Sequence, residues 1–358
     1  MSKLKSLSQA ISEFVPCGTS VAMGLQLEQM IPFAAGHEII RQKKRDLRLI
    51  GPISDCLFDQ LIGAGCVKDV VAAWVGNVMM GSAYNFRRAV EGSAWAKYDA
   101  DPALPRPTGE AAVAEGLDSA FRVFNMTNFT LALALQAGAM GVPFLPTRTA
   151  RGSDVPRGNH FFYEIMSPFA DEQGTGEQTG SAGAREPDAR VKQPAAKPSQ
   201  IRETLTAVRA IVPDVTIVHV QRADEQGNAH CWGNFGVMIE GVRAAKRVIV
   251  CAEEIVAPEV IASDPNRTVI PGFLVSAVCH VPLGAHPSPV QGYYKRDDAF
   301  FQQYHEETKT AEDFARWAEK YVHGVKDVGE YAARLGAERV AALGVKKHAY
   351  STPADYGY

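Results

Sequence analysis

Paired CxxC spacings are missing from this sequence: its six cysteines, Cys17, Cys56, Cys66, Cys231, Cys251 and Cys279, are scattered. Several lie inside apolar runs such as "RVIVCAEE" and "VSAVCHV", where cysteine behaves as a small hydrophobe. That excludes a disulfide framework and fits a reducing compartment. Long apolar runs are missing too. The longest, within 129–145, is broken by Gln136 and two glycines before it meets Pro143, too short and interrupted to cross a bilayer. The amino terminus, "MSKLKSLSQAISEFV", has helical spacing of Leu4, Leu7, Ile11 and Phe14 but no continuous apolar core or cleavage site, so it does not read as a signal peptide. A cytoplasmic location without membrane association is expected.

A strong excess of either charge is missing as well. The formal net charge is −3 and the one basic block, "RQKKRDLR" at 41–48, reads as a solvated helix end leading into a strand, which argues against nucleic acid as a partner. Neither GxGxxG nor GxxxxGK[ST] occurs, so dinucleotide and P-loop chemistry lack their fingerprints. Also absent are GxSxG and HExxH, the marks of a nucleophile elbow and of a zinc hydrolase.

What is present is an ordinary globular balance, 46% hydrophobic and 22% charged over 358 residues, with Val/Ile-rich strands alternating with amphipathic segments. Strands are expected at "TSVAMGL", "DLRLIGP", "VKDVVAAWVGN" and "VPFLP", and near 214–220, 229–232, 247–252 and 274–281, with helices near 3–14, 33–44, at "DCLFDQLIGAG" and over 125–140. This alternation predicts an α/β fold: an open, mainly parallel sheet covered by helices on both faces, as one domain over 1–358. Residues 171–200, rich in Gly, Ala, Pro, Gln and charge with Val191 as their one large hydrophobe, are expected to form a disordered insertion.

Several residues are candidates for chemistry. His219, His230 and Cys231 in "IVHVQRADEQGNAHCWG" invite a zinc reading, yet the histidines flank a turn and no third cluster supports them, so no metal is expected. "GTSVAMGLQLEQMIP", with Gly24 and Leu25, ends a strand in a glycine turn, the place where open parallel sheets bind ligands; an ordinary connection fits equally. "NVMMGSAYNFRR" sets Asn77, Gly81 and Ser82 in another post-strand loop. Glu253 and Glu254 follow a strand, as catalytic acids can, or enter a helix and complement its dipole. Gly284 and His286 share a constrained turn in "PLGAHPSPVQGYY", as a pocket wall or a local hydrogen-bond clip.

Six segments in order, "VAMGLQLEQMIPFAAGHEIIRQ", "LIGAGCVK", "GVPFLP", "IVHVQRADEQGNAHCWG", "CAEEIVAPEVIASDPNRTVIPGF" and "PLGAHPSPVQGYY", resemble the α (A) subunits of class I CoA-transferases, closest to the glutaconate CoA-transferase type. The resemblance implies an open α/β sandwich and a β-subunit partner in an α2β2 assembly. A CoA thioester would be a substrate, with no permanently bound cofactor. It also implies exchange of CoA between an acyl-CoA and a carboxylic acid through a glutamyl-CoA intermediate. In that family the glutamate sits in an "SENG"-like motif of the β subunit. No such string occurs here, so the nucleophile is expected on the partner, with Glu253 as a weak candidate in this chain. By the same resemblance Gly24, Leu25, Asn77, Gly81, Ser82, Asn128, Gly284 and His286 are the expected walls of the substrate site. The first loop reads "MGLQLEQ" where the family commonly has "GGF". An acyl-CoA hydrolase branch used in steroid ring opening is similar too. It carries its glutamate before "PFLP", where this chain has Asn128 and no acid; Glu115 or Glu253 would have to substitute.

Overall fold

The computed structural model describes residues 2–97, 104, 107, 110–117, 120–170 and 202–345. The insertion expected at 171–200 lies outside them. Along the first half run α1 (Leu7–Phe14), β1 (Ser20–Ala22), α2 (Phe33–Arg41), β2 (Leu47–Ile53), α3 (Cys56–Gly63), β3 (Val67–Trp74), α4 (Tyr84–Glu91), α5 (Glu110–Ala114) and β4 (Arg122–Asn125). Next come α6 (Asn128–Met140), β5 (Phe144–Thr147), β6 (Phe162–Ala170), β7 (Arg202–Arg209), β8 (Val215–Ala223), β9 (Ala229–His230), α7 (Met238–Ala244) and β10 (Arg247–Ile255). The chain continues through α8 (Pro258–Ala262), β11 (Thr268–Ile270) and β12 (Ala277–His280). It then passes into α9 (Asp298–Glu307), α10 (Ala311–Ala318), α11 (Val328–Leu335) and α12 (Ala337–Leu343).

Parallel pairing orders seven strands β12-β10-β8-β1-β2-β3-β4. The order reverses at β1, whose successors β2, β3 and β4 lie on one side and β8, β10 and β12 on the other. Along the β1-side edge of β8, β1 pairs with Val215 and Thr216, and the antiparallel β9 takes over at Arg222 and Ala223. The loop leaving β1 therefore emerges in front of β9, at the switch point where open α/β sheets leave a crevice.

Side-chain alternation sorts the strands between two cores. On β2, Leu47 and Leu49 join Phe33, Phe58, Phe300 and Trp317 on one face, while Ile50 joins Leu131, Leu135 and Met238 on the other. Helices thus cover both faces, as the Val/Ile runs predict. The second face also carries a three-stranded antiparallel sheet, β5-β7-β6, which the sequence pattern does not announce. Helix α1 starts later than expected. Ser6 and Gln9 form a capping box, the Ser6 hydroxyl accepting from Gln9 N at 3.2 Å and Gln9 Oε1 from Ser6 N at 3.0 Å, which sets its first turn.

Beneath the first core, His37 Nε2 meets Gln60 Oε1 at 3.0 Å. Burial, reinforced by Arg41 and by His286 and only partly opposed by Gln60, lowers the His37 pKa from 6.5 to about 3. The unfolded chain binds this proton at a higher pH than the folded one, so stability rises with pH across that window. It is complete above 6.5 and lost on acidification toward 3, at a slope of about 1.4 kcal/mol per pH unit for one such group. Melting curves taken from neutral pH downward are expected to shift to lower temperature, and His37→Gln to flatten that dependence.

Candidate functional site

Loops at the carboxyl ends of β1, β2, β3 and β4 lie along one edge of the sheet, the β1 loop at the switch point and the β4 loop at the far end. Gly24 has φ of +67°, and a Cβ there would sit 2.5 Å from Ser54 Oγ and 2.9 Å from Ser54 Cα. No other residue fits between the ends of β1 and β2. Leu27 (φ +61°) and Met30 (φ +49°) are also left-handed. Such backbone in non-glycine residues persists only where the surroundings hold it. Here the Leu25 carbonyl accepts from Val237 N at 2.8 Å, Gln29 Nε2 donates to the Asn234 carbonyl at 2.8 Å, and Met30 N donates to the Pro289 carbonyl at 3.0 Å.

The Leu25 side chain corrects the expectation for it. It is 2% exposed and packs in the second core, where a Cβ on Gly241 would meet its Cδ1 at 2.4 Å. It is therefore core and not a substrate wall. Asn77 is corrected in the same way. It is buried, its Oδ1 accepts from Met79 N and Met80 N at 3.2 Å each, and its Nδ2 donates to the Phe301 carbonyl at 2.9 Å. It shapes the loop from below. Gly81 (φ +86°) and Ser82 are exposed at the loop's surface.

Asn128 opens α6 immediately beyond β4 and is exposed. Its carboxamide makes no hydrogen bond among the described residues. A capping box between Thr127 and Thr130 fixes this helix start, Thr130 N donating to Thr127 Oγ1 at 3.0 Å. The N–H groups of Asn128 and Phe129 precede the first intrahelical bond and point out of the helix end.

Glu253 departs most from its expected place. It lies inside β10 and is neither a strand-end acid nor a helix entrant. Its Oε1 accepts from His219 Nε2 at 2.6 Å and from the Tyr294 hydroxyl at 2.7 Å, and its Oε2 accepts from Leu283 N at 2.8 Å. With its side chain 4% exposed, it clips β8, β10 and the turn after β12 together. Gly284 admits the His219 ring, since a Cβ there would come 3.1 Å from His219 Cε1. Glu254, on the other face, meets Arg222 at 3.6 Å. Glu115 is exposed beyond α5 and pairs with Lys97 at 2.6 Å.

His286 takes the clip alternative. Its Nδ1 lies 2.9 Å from the Tyr331 hydroxyl and its Nε2 3.0 Å from Asp297 Oδ2, while Arg339 Nη2 donates to Asp297 Oδ1 at 2.8 Å. Burial lowers the His286 pKa against the pull of Asp297. Burial alone would raise the Asp297 carboxyl, but the His286 and Arg339 hydrogen bonds outweigh it and hold it well below the usual range.

The three suspected metal ligands diverge. His219 goes to Glu253, His230 Nε2 to the Ile261 carbonyl at 3.0 Å, and Cys231 Sγ accepts from Gln26 Nε2 at 3.4 Å. Burial raises the Cys231 thiol to about 12, the wrong direction for a metal thiolate. Between the histidines, Asp224 Oδ1 accepts from Gln226 N and Asn228 N at 2.9 Å each, which makes the expected turn. His219 itself bonds across strands and does not order that turn.

One residue escaped the sequence reading. Asp55, at the end of β2, has φ +48° and ψ −145° and is fully buried. Its Oδ1 accepts from Cys56 N at 2.9 Å and Val78 N at 3.2 Å, and its Oδ2 from Arg296 Nη2 at 2.8 Å. Burial raises its pKa, with Arg296 the main opposing influence. It ties the β2 and β3 loops to the segment before α9. The available signal was an aspartate just before a helical apolar run, an N-cap pattern.

Comparison with known proteins places this geometry. The family described as coenzyme A transferase matches residues 108–280. The chain is 36% identical to the α (A) subunit of the 3-oxoadipate CoA-transferase of Pseudomonas knackmussii, over 94% of this chain and 99% of that one. It is 30% identical to the α (A) subunit of the glutaconate CoA-transferase of Acidaminococcus fermentans, over 96% and 95%. The crystal structure of the glutaconate coenzyme A-transferase from that organism superposes with a TM-score of 0.75 at 28% identity, covering 96% of each chain.

Proposed function

Because this chain belongs to the coenzyme A transferase family, as the α subunit of a heteromeric enzyme, we propose that it supplies half of an active site whose nucleophilic glutamate comes from the partner β subunit. The observation that carries this is the state of Glu253: the acid singled out in the sequence accepts three hydrogen bonds and is sealed in the core. Asp55 and Asp59 beside the site are buried and bonded as well, and the exposed acid of the β1 loop, Glu28, faces Arg296 at 3.9 Å. An attacking carboxylate must be exposed to a substrate carbonyl.

The exchange balances in atoms and charge. The partner's carboxylate attacks the acyl-CoA carbonyl, giving a mixed anhydride and CoA thiolate. The thiolate attacks the glutamyl carbonyl and releases the first acid, leaving a glutamyl-CoA thioester. The acceptor carboxylate then repeats both steps in reverse. This chain's part is to hold donors where charge develops. Asn128 and the free amides opening α6 are the groups exposed at the carboxyl edge for that task. Gly81 and Ser82 are exposed on the loop of β3, the strand next to β4. The acids named for the relatives, 3-oxoadipate and glutaconate, suggest a dicarboxylic acid substrate. We place the enzyme in the cytoplasm as an α2β2 assembly. Among the described residues no helix is long and apolar enough to cross a membrane. The hydrolase alternative is the less supported reading, since the stretch before "PFLP", where the resemblance puts that branch's glutamate, contains no acid and has Asn128 as its nearest match.

The chain assayed alone with acyl-CoA and acceptor acids is expected to show no transfer, and the pair reconstituted with its β subunit to show it. Sustained transfer by the chain alone would end this reading.

A further inference from the structure

Helix α6, "NFTLALALQAGAM", carries no charged residue and is apolar around most of its circumference. A helix of that composition belongs in an interior. One side is there: Leu131, Ala134, Leu135 and Ala137 are fully buried, and Gly138 abuts the Ile211 carbonyl so closely that a Cβ would come within 2.1 Å. Among the described residues the other side is covered only in part, with Ala132 and Leu133 leaning against the second core. Phe129, Ala132, Leu133, Gln136 and Met140 follow at helical spacing; Phe129 is 53% and Met140 58% exposed, and the three between are half-buried. Phe144, on the outer strand β5 of the small sheet, is 41% exposed as well. An uncharged helix side that leaves Phe129 and Met140 exposed in this way marks a surface that another chain covers.

We propose that this outer face of α6 is the docking surface for the β subunit. The proposal rests on the functional reading above, in which the β subunit brings the nucleophile. Continuity with the site selects the occupant. The stripe begins at Phe129, next to Asn128, and along the same carboxyl edge the last residue of β3, Trp74 (36%), and its loop residues Met79 (48%) and Met80 (37%) are exposed. A chain seated on α6 is thereby carried over the ends of β3 and β4, where the exposed donors lack a reacting acid. A second copy of this chain would bury the same surface without bringing one, because its own segment from Phe121 to Leu145 contains no acid. With no charge on the stripe, the facing surface of the β subunit must be apolar too.

The test is photo-cross-linking in the complete pair, with p-benzoylphenylalanine introduced at Gln136 or Met140. The pair is first shown to transfer CoA, so that an inactive pair counts against the functional reading and an active one isolates the docking face. The expected product joins this chain to the β subunit from both positions. Products joining two copies of this chain, or no inter-chain product in an active pair, would overturn the proposal. Met140→Glu, remote from the donors, is expected to raise the dissociation constant of the pair at least tenfold. An unchanged constant would also overturn it.

Discussion

Glu253→Ala is expected to cost about 2–6 kcal/mol of folding stability, because it removes the acceptor of two fully buried hydrogen bonds at roughly 1–3 kcal/mol each. The size follows from what the carboxylate holds. His219, Tyr294 and the Leu283 amide all meet it at 2.6–2.8 Å, and the first two are shut off from water, His219 being 0% and Tyr294 6% exposed. Deleting the acceptor leaves two buried donors, on His219 and Tyr294, without an acceptor. Tyr294 also receives the Ala285 amide at 3.1 Å, so the turn carrying Gly284 and His286 loosens with it. Glu253→Gln keeps one carbonyl acceptor and is expected to lose less. Urea midpoints of the assembled enzyme measure both. If Glu253→Gln abolished turnover while the midpoint stayed at the wild-type value, the glutamate would have a chemical role that this account denies.

Asn128→Ala is expected to do the opposite: stability nearly unchanged, kcat of the assembled pair reduced by about 10²–10³, the usual loss for one oxyanion donor. The carboxamide is exposed and free of hydrogen bonds among the described residues, so truncating it removes nothing the fold depends on. The capping box of Thr127 and Thr130 remains to start α6. A donor that tightens only on the developing oxyanion lowers kcat and kcat/KM together. A change confined to KM would instead assign Asn128 to substrate binding.

The architecture was legible because the central strands are buried on both faces. Segments such as "TIVHV" and "RVIVCA" pair in the middle of the sheet and read as continuous apolar runs, the mark of parallel strands. Strand β4 was not legible, being four residues long at the edge. Nor were β6 and β7: β6 mixes Glu164, Ser167 and Pro168 with apolar residues, and its sheet packs one face onto α6, so neither alternation nor a continuous run stands out. The site was half legible. Gly24, Gly81 and Ser82 lie where glycine turns after strands pointed, but burial of Leu25, Asn77 and Glu253 depends on contacts with Gly241, Phe301 and Tyr294, each far away in sequence. Asp55 escaped because its strained backbone is set by Arg296 and Val78, which no local pattern connects to it.

The central claim is that the covalent intermediate forms on the partner. Borohydride reduction of the complete enzyme incubated with acyl-CoA, followed by mass spectrometry of both chains, addresses it directly. The account predicts a glutamate of the β subunit reduced to its alcohol and this chain unmodified. A reduced acid in this chain, whether Glu253 or the exposed Glu28 of the β1 loop, would contradict it.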